Sequence, residues 1–244
     1  MGYKGRDVEV IPLMAGSCLV IACDSCGGIG SKEYDAVKVP PSVVGSLTTR
    51  VALMEVLAAG AEPRAVSAAI CNEAAPTAEA ILEGIRMELE DLKACDLPLA
   101  ISTEKNIPTI QTALGITVIG TCDIEHLRIH RTRSGDTVYC LGVPQVGDEL
   151  VRGSYSQIAR LNHIKALSGY TEVHDILPIG SRGIRKEAEQ LAGSMGYAFV
   201  PKSSCTVDLD KSAGPSTCVI FTCHDGIAPP SIGEIMITKV GVII

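Results

Sequence analysis

The stretch RVALMEVLAAGAEP, residues 50–63, contains the body of a helix, its end and the approach to a strand. Gly60 stands where a C-terminal helix cap belongs, and the segment 64–70 is predicted to form the next strand. Apolar residues in and just before the stretch recur at the spacing of one helix face. They are Leu47, Val51, Met54 and Ala58.

Short apolar runs alternate with helical patterns on both sides of this stretch. Residues 1–145 show a ferredoxin-like β-α-β-α-β order followed by further strands, which predicts an α+β domain with helices covering one face of a sheet. Residues 146–244 are predicted to form a short second α/β domain. The predicted strands span residues 8–11, 18–23, 64–70, 97–101, 114–121, 127–130, 137–141, 197–200, 218–223 and 234–243. The predicted helices span residues 47–60, 77–92 (capped by Thr77), 158–169 and 184–196.

The composition limits both the core and the classes of partner. The 244 residues include two Phe, six Tyr and no Trp, so the core must be built from Ala, Val, Ile and Leu. A formal charge of −7 and the lack of a basic run argue against nucleic-acid binding. So few rings also leave no stacking platform for single strands. We therefore expect a small-molecule substrate and no nucleic acid.

The sequence also predicts a compartment. No secretory signal is visible in the first sixteen residues, and the apolar runs are too short to span a bilayer. We therefore expect a soluble cytoplasmic protein with no membrane partner. In that compartment, cysteines within hydrophobic runs are typical of small buried hydrophobes. These cysteines are Cys18, Cys23, Cys122, Cys140, Cys218 and Cys223.

The alternative for the cysteines is a zinc or redox site. The Cys23-x-x-Cys26 spacing is the one that suits a metal. A zinc ion would need a second pair of ligands, for which Cys218, Cys223 and His224 are the candidates.

The clearest chemical signal is a carboxylate at a strand end. Asp24 follows an apolar strand and leads into Gly27, Gly28 and, after Gly30, Lys32. Glycines let backbone N–H groups approach phosphate oxygens, a lysine adds positive charge, and a carboxylate can hold Mg²⁺. The segment therefore suits a polyphosphate with a divalent metal. The alternative is a solvated glycine turn, since neither a dinucleotide fingerprint nor a Walker loop is present.

Three other acids stand near predicted element ends or within a helix. Glu55 lies inside the first helix, Glu104 follows the strand at 97–101, and Asp175 precedes Gly180. Taken singly, each is typical of an ordinary solvated, loop or turn residue.

Taken in order, these segments resemble the aminoimidazole-ribonucleotide-synthetase-like (PurM-like) superfamily. That superfamily includes thiamine-monophosphate kinase, selenophosphate synthetase and a hydrogenase-maturation dehydratase. Residues 50–63 resemble the family helix that ends in Gly-Ala-x-Pro, with Glu55 in place of the usual Asp. Residues 20–35 resemble the Asp-then-glycine segment, and 102–105 occupy the place of Gly-Gly-Asp/Glu-Thr with only Glu104 retained. Residues 135–142 resemble the strand that closes the first domain, and 174–184 resemble the start of the second.

The resemblance implies ATP, Mg²⁺ and a homodimer whose first domains pair through their sheets. It implies metal ligands at Asp24, Glu55, Glu104 and Asp175. ATP would contact Gly27, Gly28, Lys32 and Glu55, and catalysis would use Asp24, Lys32 and Asp175. The residue patterns leave the general base open among Asp35, His174 and Asp175. The polar candidates for gripping the acceptor are Arg64, Asn72, Glu73, Arg182 and Arg185.

Within the superfamily, the short chain and the segment from Arg6 through Asp24 to Pro63 are most similar to the α-ribazole kinases. This resemblance implies phosphorylation of a nucleoside 5′-hydroxyl in salvage of the cobalamin lower ligand. One alternative is an enzyme like thiamine-monophosphate kinase. Others are a selenophosphate-type or ring-closing synthetase and a non-catalytic nucleotide sensor.

Overall fold

The computed structural model describes residues 2–147, 149–150 and 155–244, which divide into two compact units. The N-terminal unit contains Val8–Val56 and Ala61–Glu125. The C-terminal unit contains the segment that ends at Asp7, the short stretch Leu57–Gly60, and His126–Ile244. The division after Glu125 differs from the predicted boundary near residue 145.

The N-terminal unit has the predicted strand and helix order. Its five-stranded sheet has the order β1-β2-β7-β5-β6, and β5 and β6 are parallel whereas the other neighbours are antiparallel. The α+β fold class is therefore confirmed. The elements are β1 (Val8–Pro12), β2 (Ser17–Gly27), the short β3 (Ile29–Gly30) and β4 (Val37–Lys38), α1 (Pro41–Ala58), β5 (Glu62–Glu73), α2 (Glu79–Asp91), β6 (Leu99–Glu104) and β7 (Ala113–Asp123).

One face of this sheet is buried and the other is open. Cys18, Val20 and Ala22 of β2 alternate with more exposed neighbours, which is the period of a strand buried on one side. Gly120 of β7 lies so close to α1 that a Cβ there would stand 2.4 Å from a methyl carbon of Val56. The buried face is therefore the one that α1 covers.

The two helices of this unit pack at close range. A Cβ on Gly84 would lie 1.9 Å from the backbone oxygen of Ser42, so only glycine fits between α1 and α2. Arg50 of α1 donates to both carboxylate oxygens of Glu88 in α2, at 3.0 and 2.6 Å. The contact combines backbone packing with a nearly buried ion pair, which fixes how α2 leads toward β6.

The C-terminal unit is built on a second five-stranded sheet with the order β10-β12-β8-β11-β9. Tyr139 and Phe221 stack within it at a centroid distance of 5.5 Å, while the rest of its core is mainly aliphatic. Its elements are β8 (Thr137–Gly142), α3 (Leu161–Ser168), β9 (Val173–Pro178), α4 (Gly183–Gly193), β10 (Phe199–Pro201), β11 (Cys218–Cys223) and β12 (Ile237–Ile243).

Three sequence expectations differ from this unit. The strand at residues 137–142 pairs with β11 and β12, so it belongs to the second sheet and does not close the first domain. The segment 173–178 is a strand, although it was expected only to open the second domain. Residues 127–130 form no strand, because His130 has a φ of 62° and Arg128 donates its N–H to Ala59.

The cysteine expectation holds for most positions. Cys18, Cys140, Cys218 and Cys223 are buried, which confirms them as small core residues. Cys23 is exposed, so the prediction was wrong there, because Cys23 points from the open face of the sheet. Among the described residues, no cysteine joins a group of three potential ligands close enough to share an ion.

Within the residue ranges given above, no helix combines the length and the apolar character that crossing a bilayer requires.

Candidate phosphate-binding site

One end of the N-terminal sheet collects most of the predicted site residues. Strands β2, β5 and β6 all end there, and β7 begins there, because β7 runs antiparallel to β2 and β5. The register places Gly27 opposite Ala113 and Glu73 opposite Glu104. We call this region the site end of the sheet. It includes the loop after β2, residues 28–36, and the segment 105–112.

The loop after β2 is joined to the segment before β7 by hydrogen bonds. The Gly28 N–H donates to the Thr112 carbonyl at 2.8 Å. Asp35 accepts from the Lys32 N–H at 2.8 Å and from the Thr112 N–H and hydroxyl, each at 2.7 Å. A Cβ on Gly30 would lie 2.2 Å from the Thr112 hydroxyl oxygen, so this position must be glycine.

These contacts separate the roles of the neighbouring glycines. The Gly28 N–H donates to the Thr112 carbonyl, so its predicted contact with a phosphate, which stays a prediction, would require release of this hydrogen bond. At Gly27, nothing lies within 4 Å of the position a Cβ would take. The backbone there is open to close approach by a ligand, which fits the predicted role of Gly27.

Asp35 is held as a structural carboxylate. Burial raises its pKa, but the Thr112 donors and the Lys32 N–H outweigh burial, so the pKa is below its ordinary value. With three donors already bound and 5 % of the residue exposed, Asp35 fixes the loop. As a general base it would first have to release these donors.

Lys32 points its ammonium toward the edge of β5. Its Nζ donates to the Thr109 carbonyl at 3.0 Å and to Glu73 Oε2 at 2.8 Å. Glu73 also accepts from the Thr109 hydroxyl at 3.0 Å and from the Thr77 hydroxyl. The prediction that Thr77 caps α2 is therefore wrong: its hydroxyl binds Glu73, and α2 begins at Glu79.

Hydrogen bonds outweigh burial in the ionisation of Glu73, and the one from Lys32 is the strongest of them. Burial raises the pKa of Glu73, but Lys32 and the hydroxyls of Thr77 and Thr109 lower it to about 2. The carboxylate is therefore ionised at neutral pH, and Lys32 is balanced by a full negative charge.

Asn72 supports this pair from the interior. It is fully buried, and its Nδ2 donates to the Thr109 hydroxyl at 2.9 Å and to the Gln111 carbonyl at 2.8 Å. Its Oδ1 accepts from the Ala113 N–H at 3.0 Å. Asn72 and Glu73 were expected only as candidates for gripping an acceptor. The available signal was their position as a polar pair directly after the strand predicted at 64–70.

Of the predicted metal ligands, Glu104 is the last residue of β6, at the site end, whereas Asp24 lies inside β2, three residues before Gly27. Asp24 is partly buried and lies on the same face of β2 as Cys26. Burial, then the charges of Asp24 and Asp35, raise the pKa of Cys26, so its thiol stays protonated. Glu104 accepts from the N–H groups of Asn106 and Ile107 at 2.6 and 3.2 Å.

Glu55 lies farther along the sheet. It is buried in α1, next to Val56, which packs on Gly120. Gly120 opposes Val20, four residues or roughly 13 Å along β2 from Asp24. The register therefore places Glu55 toward the opposite end from Glu73 and Glu104.

Asp175 belongs to the C-terminal unit, and its surroundings are those of a structural acid. The residue is fully buried, and its Oδ2 accepts from the N–H groups of Arg131 and Thr132 at 2.9 and 2.7 Å and from the Thr132 hydroxyl at 2.6 Å. Its Oδ1 lies 3.5 Å from Arg6 Nη1. The predicted metal and catalytic roles would require Asp175 to exchange these partners for an ion or substrate.

His174 sits beside Asp175 but faces another acid. Its Nδ1 lies 2.6 Å from Asp136 Oδ2, and Asp136 also accepts from the Arg133 N–H at 2.8 Å. The imidazole is therefore oriented by a buried carboxylate, an arrangement that suits a proton acceptor.

The donor chemistry at the site end fits a metal–nucleotide complex. In the described ranges, its carboxylates do not form a group of three within reach of one ion. Mg²⁺ commonly takes one or two protein carboxylates and completes its shell with water and phosphate oxygens. Asp24 and Glu104 could each supply one such ligand, to separate ions, because β7 and β5 lie between their strands.

No family model and no curated protein matches the chain, but solved structures match it. Thiamine monophosphate kinase from Aquifex aeolicus has a TM-score of 0.71 at 16% identity, covering 97% of this chain and 88% of that one. The fold is PurM-like. AaThiL complexed with AMPPCP and TMP has a TM-score of 0.63 at 14% identity, covering 98% and 84% of the two chains. PurL of T. maritima complexed with ATP has a TM-score of 0.62 at 12% identity, covering 99% of this chain but 38% of that protein.

The depressed pKa of Glu73 predicts a pH-dependent contribution to stability. Glu73 titrates at about 2 when folded against 4.5 ordinarily, so its ion pair stabilises the fold above about pH 4.5. That contribution is lost as the pH falls from about 4.5 through about 2. We expect the difference in free energy of unfolding between wild type and Glu73→Gln to be constant near neutral pH and to shrink over that acidic range. Urea unfolding at a series of pH values measures it; a difference that grows on acidification contradicts it.

The burial of Asp175 predicts that its removal unfolds the chain more easily. Asp175→Asn should lower the free energy of unfolding by about 3–5 kcal/mol, because Arg6 would remain buried without its counter-charge. The matched control is Asp210→Asn, which breaks an exposed pair with Arg185 in the same unit and should change stability little. Denaturant titration measures both. Unchanged stability of Asp175→Asn would restore Asp175 as a candidate for a purely catalytic or metal-binding role.

Proposed function

We propose that the chain is an ATP- and Mg²⁺-dependent kinase of a small molecule. The observation that carries this proposal is the site end, where Lys32, Glu104 and the open backbone at Gly27 lie on strand ends and loops on one side of the sheet, with Asp24 three residues before the end of β2. A cation, carboxylates and an accessible backbone are what a metal-bound polyphosphate requires. The PurM-like fold, which it shares with enzymes solved with ATP or AMPPCP, supports the same proposal.

The mechanism asks mainly for positioning. Phosphoryl transfer needs the donor and acceptor aligned and the charge on the phosphate oxygens balanced. In this proposal, Lys32 contacts a phosphate oxygen and the Gly27 backbone allows the phosphate chain to approach. Asp24 and Glu104 stand on strands separated by β7 and β5, so each would hold its own Mg²⁺, which would neutralise charge on the phosphate oxygens. The metal roles of Glu55 and Asp175 remain predictions.

The leading acceptor is one like thiamine monophosphate. This preference rests on the likeness to AaThiL with AMPPCP and TMP and to the Aquifex aeolicus kinase, both matched over most of their length. The second candidate is α-ribazole, which is favoured by the sequence resemblance of the segment from Arg6 to Pro63. A cysteine-dependent synthetase receives less support, because the pKa of Cys26 is raised, which disfavours its thiolate.

The kinase proposal is tested with an acceptor panel. We expect ATP consumption with Mg²⁺ to require an acceptor, and phosphorylated thiamine monophosphate or α-ribazole to appear by mass spectrometry. Asp24→Asn should lower turnover roughly 100-fold or more, because it removes a ligand for the ion that balances transition-state charge. Asp123→Asn, at the far end of β7, is the matched control and should retain turnover.

Other outcomes identify other classes. ATP consumption without a phosphorylated acceptor would indicate a synthetase. Nucleotide binding without consumption across the whole panel would indicate a sensor. Full turnover of Asp24→Asn would remove the site end from the mechanism.

We further propose that the chain forms a homodimer through the open face of the N-terminal sheet. Cys23, Ser67 and Ala69 are exposed on that face, and Thr117 opposes Ser67 there. Small side chains make this face flat enough for another sheet to pack against it.

The dimer is tested by placing a charge on that face. Ala69→Arg should give a monomer by light scattering, since an unpaired guanidinium would be buried at the interface. Met87→Arg, on an exposed position of α2, is the control and should leave the dimer intact. A monomeric wild-type protein would overturn the proposal.

A further inference from the structure

We propose that Glu73 is a positioning residue that fixes the Lys32 ammonium for a nucleotide phosphate. The inference rests on the proposed function, because it assumes that a phosphate chain binds at the site end. It goes further by assigning a role to a residue that makes no phosphate contact of its own.

The argument begins with the donors of Lys32. An ammonium group has three N–H donors on a flexible four-carbon stem. Two of them are directed at the Thr109 carbonyl and at Glu73 Oε2. The side chain of Lys32 is 15% exposed, so it is largely packed but keeps some access to solvent, and its partner Glu73 is 34% exposed. The third donor is therefore left in a defined direction for a ligand oxygen.

Glu73 can fix Lys32 because Glu73 is itself fixed. Its carboxylate accepts from the hydroxyls of Thr77 and Thr109. Thr109 is held in turn by the fully buried Asn72, whose amide also binds the backbone on both sides of Thr112. A continuous chain of hydrogen bonds thus runs from the interior of the sheet to the ammonium. Each link restricts the next, so the lysine loses little further freedom when a phosphate binds.

Glu73 also has an opposite effect that must be weighed. Its negative charge lies 2.8 Å from the Lys32 ammonium and would repel a phosphate. The Glu73 side chain is 34% exposed, so water screens that repulsion, whereas the hydrogen-bond geometry is not screened. We therefore expect positioning to outweigh repulsion. The two effects predict opposite changes in nucleotide affinity when Glu73 is removed.

A double-mutant cycle on the full chain separates these effects. Calorimetric titration with Mg²⁺ and AMPPCP would compare Glu73→Ala, Glu73→Gln and Lys32→Met, alone and combined. We expect Glu73→Ala to raise the Kd about tenfold. Glu73→Gln should raise it about threefold, since a Gln oxygen still accepts from the ammonium. In the Lys32→Met background, neither change should alter the Kd, because there is no ammonium left to position.

The control is Glu62→Ala, which removes an acid paired with Arg64 at 2.7 Å on the same strand but at its other end. It should leave the Kd unchanged. Thermal unfolding of each variant checks folding, and the nearly isosteric Glu73→Gln keeps the test valid if Glu73→Ala does not fold.

Three results would overturn the inference and leave the proposed function standing, and a fourth would overturn both. Tighter binding by Glu73→Ala would show that repulsion dominates. An equal loss of affinity in the Lys32→Met background would show that Glu73 acts on the fold and not through Lys32. If wild type binds AMPPCP and Glu73→Ala binds it with the same Kd, the positioning role is excluded and the proposed function is unaffected. If wild type binds no AMPPCP, the proposed function fails and the inference fails with it.

Discussion

The pairing of β2 with β7 along the full length of β2 is the constraint on which the candidate site depends. Ser17 opposes Asp123 at one end and Gly27 opposes Ala113 at the other. Because side chains alternate between faces, a slip of one residue would turn Val20 out of the core and move Asp24 to the open face. The cost of exposing the buried face of β2 therefore sets the position of the first acid of the site.

The same register makes the loop chemistry possible. Because β7 begins beside the end of β2, the loop that follows β2 can bind the residue that precedes β7. Two residues that flank Lys32 in the sequence both bind Thr112: Gly28 on its N-terminal side and Asp35 on its C-terminal side. The backbone of Lys32 is thus held from both sides. Its side chain is held separately, by the Thr109 carbonyl and by Glu73. One set of contacts therefore positions the backbone of Lys32, and another positions its ammonium group.

Local sequence patterns predicted the elements that depend on their own periodicity, such as α1 and the strands on either side of it. They failed where a distant contact decides the backbone. The alternation at 127–130 indicates a strand, but Arg128 binds Ala59 and Ser168 instead. The segment 173–178 is a buried strand, but its polar residues His174 and Asp175 are not typical of one. They are tolerated there because His174 contacts Asp136 and Asp175 contacts Arg6, both distant in sequence. The site shows the same limit. The glycine-rich loop indicates Lys32 as a phosphate-binding candidate, but its ion pair with Glu73 depends on the sheet that brings the loop next to the end of β5.

The acids of this chain differ in what surrounds them more than in their position after a strand or in a helix. Asp175 and Asp35 are almost fully buried and bind several donors, so an incoming ion would have to displace hydrogen bonds that hold the fold. Asp24, inside β2 three residues before its end, and Glu104, the last residue of β6, are more exposed. A cation can approach them while keeping most of its water, which is how Mg²⁺ prefers to bind. The resemblance implies the same metal role for Asp24, Glu104 and Asp175, whereas Asp35 is a candidate base. Burial divides them into two that maintain the fold and two that can meet a ligand, which argues for testing the site end first.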